Sequence, residues 1–62
     1  MNIIESFGEY LQVGDYIKFR GVDGDTWILE EIHFNGDYNK SQCVLSNTFR
    51  FKTAHPSNLE RA

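Results

Sequence analysis

Cysteine and proline occur once each in this 62-residue chain, as Cys43 and Pro56. One cysteine excludes an intramolecular disulfide, and the expected compartment is a reducing, cytoplasmic one. No apolar run approaches the ~18 residues of a membrane span, and no basic-then-apolar N-terminal segment resembles a signal peptide. There is no Gly-rich phosphate loop, internal repeat, low-complexity tract or linker. Metal ligands are equally sparse. Cys43, His33 and His55 are the soft donors, and no two of them have C-x2-C or H-x3-5-H spacing. Asp23 and Asp25 in VDGDT do not supply the repeated oxygens of a calcium loop, and a turn role suits both. These absences predict a chain with no metal, no cofactor and no membrane-embedded part.

What the chain does have is aromatic mass: five Phe, three Tyr and one Trp. Each buries about 150–250 Å². A domain of this size buries only about 60% of its extended surface, so its core must be dense. Such a composition argues against disorder. The charge is unevenly spread. Residues 1–37 hold eight acidic and two basic side chains (−6) and residues 38–62 one acidic and four basic (+3), which together give the overall −3. An acidic total disfavours non-specific nucleic-acid binding, which rests on neutralising phosphates. A local basic patch in the C-terminal part stays open.

Val13–Phe34, VGDYIKFRGVDGDTWILEEIHF, is the organising stretch and reads as two antiparallel strands joined by a turn. From Leu11 the apolar period is two. Leu11, Val13, Ile17 and Phe19 share one face, and Gln12, Tyr16, Lys18 and Arg20 share the other, with a bend at Gly14-Asp15. GVDGD is turn chemistry, with Gly24 expected in a left-handed conformation. Thr26–Phe34 is the second strand. Trp27 and Leu29 are odd while Ile32 and Phe34 are even, so a bulge at Glu30-Glu31 is needed to bring all four to one face. The helical spacing of Ile28, Leu29 and Ile32 competes, but Thr, Trp, Ile and Phe favour a strand, and turn signals bound the segment.

NGDYNKS follows as a polar loop. Gln42–Ser46 is a third strand, Asn47-Thr48 a tight turn, and Phe49–Thr53 a fourth strand with Phe49 and Phe51 inward and Arg50 and Lys52 outward. AHPSN suits one 3-10 turn, because Pro56 has no N–H to donate. Leu59–Arg61 closes as a last short strand. Residues 1–10 suit an N-terminal arm, a helical turn or a short strand, ahead of a domain spanning 11–62. The core predicted from these faces is Leu11, Val13, Ile17, Phe19, Leu29, Ile32, Cys43, Leu45, Phe49, Phe51 and Leu59. On that reading Phe51→Ala costs about 3–5 kcal/mol.

The expected fold is all-β: five short strands with a 3-10 turn before the last. This plan resembles the SH3-like small barrels of the Tudor and KOW families. VGDYIKF resembles their first strand with its Gly-Asp entry. DGDTWILEEI resembles the Tudor sequence of an Asp-Gly turn, an aromatic and a strand. CVLSN, a fourth strand and then HPSNLER resemble the ending in which a polar turn precedes a closing leucine. The resemblance covers about residues 11–61. It implies a five-stranded barrel whose work is binding: a protein-binding module, adaptor or inhibitor, a single-stranded nucleic-acid binder, or a reader of methylated side chains. Stand-alone barrels of this length also resemble accessory proteins of phages and bacteria that act on a host protein.

Tudor readers surround a methylated cation with about four aromatics. Trp27 falls at one such position, but Arg20 stands at the end of the first strand. Asn47 and Thr48 follow the third, where the family often has Tyr. Tyr38, from the loop, adds only a pair, and packing is the stronger reading of Trp27. Tyr16, Lys18 and Arg20 on one strand face, with Arg50 and Lys52 on another, interleave aromatics and cations as single-strand binders do. Asp23, Asp25, Glu30 and Glu31 nearby oppose that. Tyr and Arg are also enriched at protein interfaces. Cys43 falls in a strand predicted to be buried, where thiols are inert, and a barrel this small has little room for a pocket of about 300 Å³. The expectation is a non-enzyme that binds a protein through Tyr16, Lys18, Arg20, Trp27, Tyr38, Arg50 and Lys52.

Overall fold

The computed structural model describes residues 1–48 and 50–62. Among them are β1 (Ile3–Ser6), β2 (Glu9–Gln12), β3 (Tyr16–Phe19), β4 (Trp27–His33), β5 (Gln42–Asn47), β6 (Arg50–Ala54) and β7 (Leu59–Arg61). Two 3-10 turns, Tyr38–Lys40 and Pro56–Asn58, precede β5 and β7. The last five strands form one antiparallel sheet in the order β6-β5-β4-β3-β7, and β1 with β2 forms a separate two-stranded sheet. Strands β3 to β6 are a meander. After the second 3-10 turn, β7 returns to the far side of β3. The sheet stays open, with β6 and β7 as its edges, where the sequence predicted a closed barrel.

Of the forms open to residues 1–10, the strand is the one adopted. Ile3, Ile4, Glu5 and Ser6 pair with Gln12, Leu11, Tyr10 and Glu9. Phe7 and Gly8 make the two-residue turn between them, with φ of +51° and +76°. Positive φ at both central residues gives the turn whose twist suits a hairpin. Glycine adopts it freely, whereas a bulky Phe is strained there. β2 thus runs across the 10/11 boundary. Gly14, at φ +99°, ends the run from Leu11, so the alternation read as one strand divides between β2 and β3.

β4 carries the irregularity that its sequence requires. Leu29 pairs with Leu45 and Glu31 with Val44, which leaves Glu30 as the extra residue. Trp27, Leu29 and Ile32 are buried as a result, and Glu30 and Glu31 are exposed. Phe34 lies past the end of the strand and is 38% exposed. The left-handed conformation expected at Gly24 falls on Gly21 instead, at φ +72°. The cause is the divergence of β3 from β4. They pair only at Tyr16–Ile28 and Ile17–Trp27, while on its other edge β3 stays paired with β7 from Ile17 to Phe19. Residues 21–26 therefore span a wide gap rather than a tight hairpin.

The interior is made by Ile4, Leu11, Ile17, Trp27, Leu29, Ile32, Cys43, Leu45 and Leu59, with Val13, Phe19, Tyr38 and Ala54 packed at its margin. Phe51 is outside it and 74% exposed. In the β5–β6 ladder Cys43 opposes Ala54, Leu45 opposes Lys52, and Ser46 opposes Phe51. Directly opposed residues share a face of the sheet. Lys52 therefore takes the inner face beside Leu45, and Phe51 takes the outer face beside Ser46. The expected inward Phe51 and outward Arg50 and Lys52 are reversed. The expected placement of Phe49 lies outside the described residues.

Leu45→Ala, at a site with no solvent exposure, should cost about 2–5 kcal/mol of unfolding free energy. Phe51→Ala should change it by less than about 0.5 kcal/mol. Urea denaturation of both variants checks this, and equal losses would return Phe51 to the core.

Candidate functional site

β6 is where the sheet presents chemistry on both faces. On the inner face the Lys52 ammonium lies 4.9 Å from the Phe19 ring centroid, and the Arg50 guanidinium lies 6.0 Å from that of Trp27. The two rings meet edge to face with centroids 6.2 Å apart. Cation–π attraction of this kind is worth about 0.5–1 kcal/mol at exposed sites. Among the described residues, neither cation has a carboxylate within salt-bridge distance. Trp27 itself is buried, at 6% exposure, so it supports this arrangement from beneath rather than offering an open ring face.

The outer face carries a row that sequence reasoning did not find. Tyr16 opposes Ile28, Ile28 opposes Ser46, and Ser46 opposes Phe51. The row crosses four strands and ends on β6. Tyr16 is 63%, Ile28 37% and Phe51 74% exposed. The Ser46 hydroxyl donates to the Glu30 carboxylate freed by the bulge. A signal for the row was present. A two-residue turn always pairs an odd residue with an even one. With Cys43 and Leu45 inward, the even residues of the next strand must follow them.

Arg20 is a fastener. Its Nη2 donates to the Leu59 carbonyl at 2.7 Å and to the Ser6 hydroxyl at 3.3 Å, and its Nε donates to the Ser57 carbonyl at 3.2 Å. Nη1 lies 3.8 Å from the Glu60 carboxylate, and the guanidinium covers the Phe7 ring at 4.6 Å. Lys18 pairs with the same Glu60 at 3.5 Å. Tyr38 meets His55 edge to face at 5.1 Å, and its carbonyl is 2.9 Å from His55 Nε2. The seven expected contact residues thus fall into separate places. Arg50, Lys52 and Trp27 meet on the inner face, Tyr16 stands on the outer face, Lys18 and Arg20 pair with Glu60, and Tyr38 packs against the second 3-10 turn's cap.

A cleft of about 630 Å³ opens between the N-terminal hairpin and Phe34, Tyr38 and Ser57, and Met1, Ile3 and Phe7 line its other wall. It is larger than the sequence led one to expect, because the hairpin was not foreseen. Its wall is mostly apolar, and among the described residues Glu5 is the one charged side chain lining it. Among the described residues no three His, Cys, Asp or Glu side chains cluster to hold a metal ion. His33 Nε2 is engaged with Glu31 at 2.8 Å, and His55 holds Ser57 and Tyr38 with its two ring nitrogens. Cys43 is buried, and burial pushes its thiol up from 9.0 to about 11. No helix of the described residues is long and apolar enough to cross a membrane. The chain matches no protein-family model, no curated protein and no solved structure.

Arg20→Ala should cost about 1–3 kcal/mol, since it strips charged donors from a buried hydroxyl and two carbonyls. Arg20→Lys should recover only part of the loss, because an ammonium cannot reproduce the guanidinium fork. Urea unfolding gives the cost, and faster amide exchange in Ile3–Ser6 gives the place. Cys43 should resist an aromatic disulfide reagent at pH 8, reacting only as fast as the chain unfolds. Its folded pKa lies above the unfolded one, so its contribution to stability is complete below about pH 9 and is lost as pH rises toward about 11. Cys43→Ala should flatten that alkaline decline, and an equally steep decline in the variant would assign it to other groups.

Proposed function

We propose that this protein is a non-enzymatic protein-binding module, a cytosolic adaptor or inhibitor built on the SH3-like small-barrel plan. The strand order supports the plan. A four-strand meander is followed by a 3-10 turn, and a last strand returns beside the first of the meander. A lone unbridged cysteine suits a reducing compartment. The observation that carries the functional reading is the outer row of Tyr16, Ile28 and Phe51. The three line up across the sheet with Ser46 between Ile28 and Phe51. Exposed apolar residues grouped among polar ones mark interaction surfaces, and aromatic anchors dominate the energetics of such surfaces. An accessory protein of a phage or bacterium acting on a host protein fits a module of this size.

Single-stranded nucleic acid is the second reading, favoured by Arg50 and Lys52 beside Trp27 and Phe19. Stacking needs open aromatic faces, and here one ring is buried while cations lie over both. The same cations weigh against a methylated-residue reader, because a methylammonium would have to displace them from the rings.

The test is capture from lysate by the parent protein and by Phe51→Ser, followed by quantitative identification. Phe51→Ser should unfold like the parent and lose proteins that the parent retains. An unchanged set of captured proteins would refute the outer row as the binding surface. A salt-sensitive affinity for a labelled single-stranded oligonucleotide, abolished by the paired change Arg50→Ala and Lys52→Ala, would move the conclusion to the second reading.

A further inference from the structure

We infer, resting on the binding-module reading above, that the partner presents an extended segment of alternating apolar and acidic residues, which adds to β6 as a further strand of the sheet. Edge strands turn the N–H and C=O of every second residue away from their neighbour, which makes them templates for another strand. β6 is five residues long, and among the described residues its backbone bonds only to β5. The opposite edge is engaged. β7 has three residues, its Arg61 N–H donates to the Glu9 carboxylate, and its Leu59 carbonyl accepts from Arg20.

The side chains of β6 specify what an added strand must carry. Successive residues of a strand point to opposite faces. On the outer face an added strand extends the row of Tyr16, Ile28 and Phe51, which calls for apolar residues. On the inner face it meets Arg50 and Lys52, which lack carboxylate partners among the described residues and call for Asp or Glu. Apolar and acidic residues must therefore alternate. Main-chain hydrogen bonds supply affinity in this mode and alternate side chains supply selectivity. A second copy of the chain is disfavoured, because two-fold pairing of β6 with itself over its full length sets Lys52 against Lys52, and like charges directly opposite are destabilising.

Synthetic peptides test the inference: one alternating Val and Glu, one of the same composition in two blocks, and one alternating Val and Lys. The alternating Val-Glu peptide should bind at least ~10-fold more tightly than the other two. It should slow amide exchange along β6 and lose its binding when alternate backbone nitrogens are methylated. The paired change Arg50→Glu and Lys52→Glu should transfer the preference to the Val-Lys peptide. Equal binding of the block peptide, binding indifferent to N-methylation, no binding at all, self-association through β6, or tighter binding of a single-stranded oligonucleotide would each overturn the inference. Failure of the peptides while Phe51→Ser still loses captured proteins removes strand addition and leaves the binding module standing. Failure of both removes both.

Discussion

A 62-residue chain without a disulfide has room for one interior, and the two-residue period of its strands decides which side chains reach it. Every strand but β6 sends at least one buried apolar residue there: Ile4, Leu11, Ile17, Leu29 with Trp27 and Ile32, Cys43 with Leu45, and Leu59. A slip of one position would turn a strand inside out. The extra residue at Glu30 follows from this constraint. Without it Leu29 and Ile32 would point to opposite faces, and β4 would lose part of its contribution to the core.

The same constraint separates what was legible in the sequence from what was not. The bulge could be read because apolar residues on both sides of it had to agree. The turn at Pro56 could be read because proline restricts its own backbone, and the burial of Leu59 followed from its place at the return of the last strand. Phe51 was misread by treating an aromatic as its own evidence of burial. Parity carried across the turn from Leu45 places it outward. Gly24 was misread because an Asp-Gly pair signals a tight turn only where the flanking strands are still paired, and β3 had already left β4. The hairpin at Phe7 gave almost no local signal, since its turn needs two positive φ angles and offers glycine at only one of them.

β6 contributes no fully buried side chain and only Ala54 to the margin of the core. Its residues are consequently less bound by the packing demands that fix the other strands. Phe51 can change without opening a cavity, whereas changing Arg50 or Lys52 removes the cation lying over the Trp27 or Phe19 ring. Candidate function therefore gathers at the edge that the core does not need. Arg20, whose type and position suggested a contact residue, is committed instead to holding the hairpin, the second 3-10 turn and β7 together.

That fastening joins opposite ends of the chain. Ser6 donates to the Pro56 carbonyl across 50 residues of sequence, and Arg20 adds Ser57 and Leu59 to the same junction. A ribosome adds about 5–20 residues each second, so the first strand waits roughly 3–10 s for the residues that hold it. During that interval Ile4 and Leu11 have each other but not Leu59. The hairpin is thus made early in synthesis but reaches its full set of partners only once Pro56, Ser57 and Leu59 have been added.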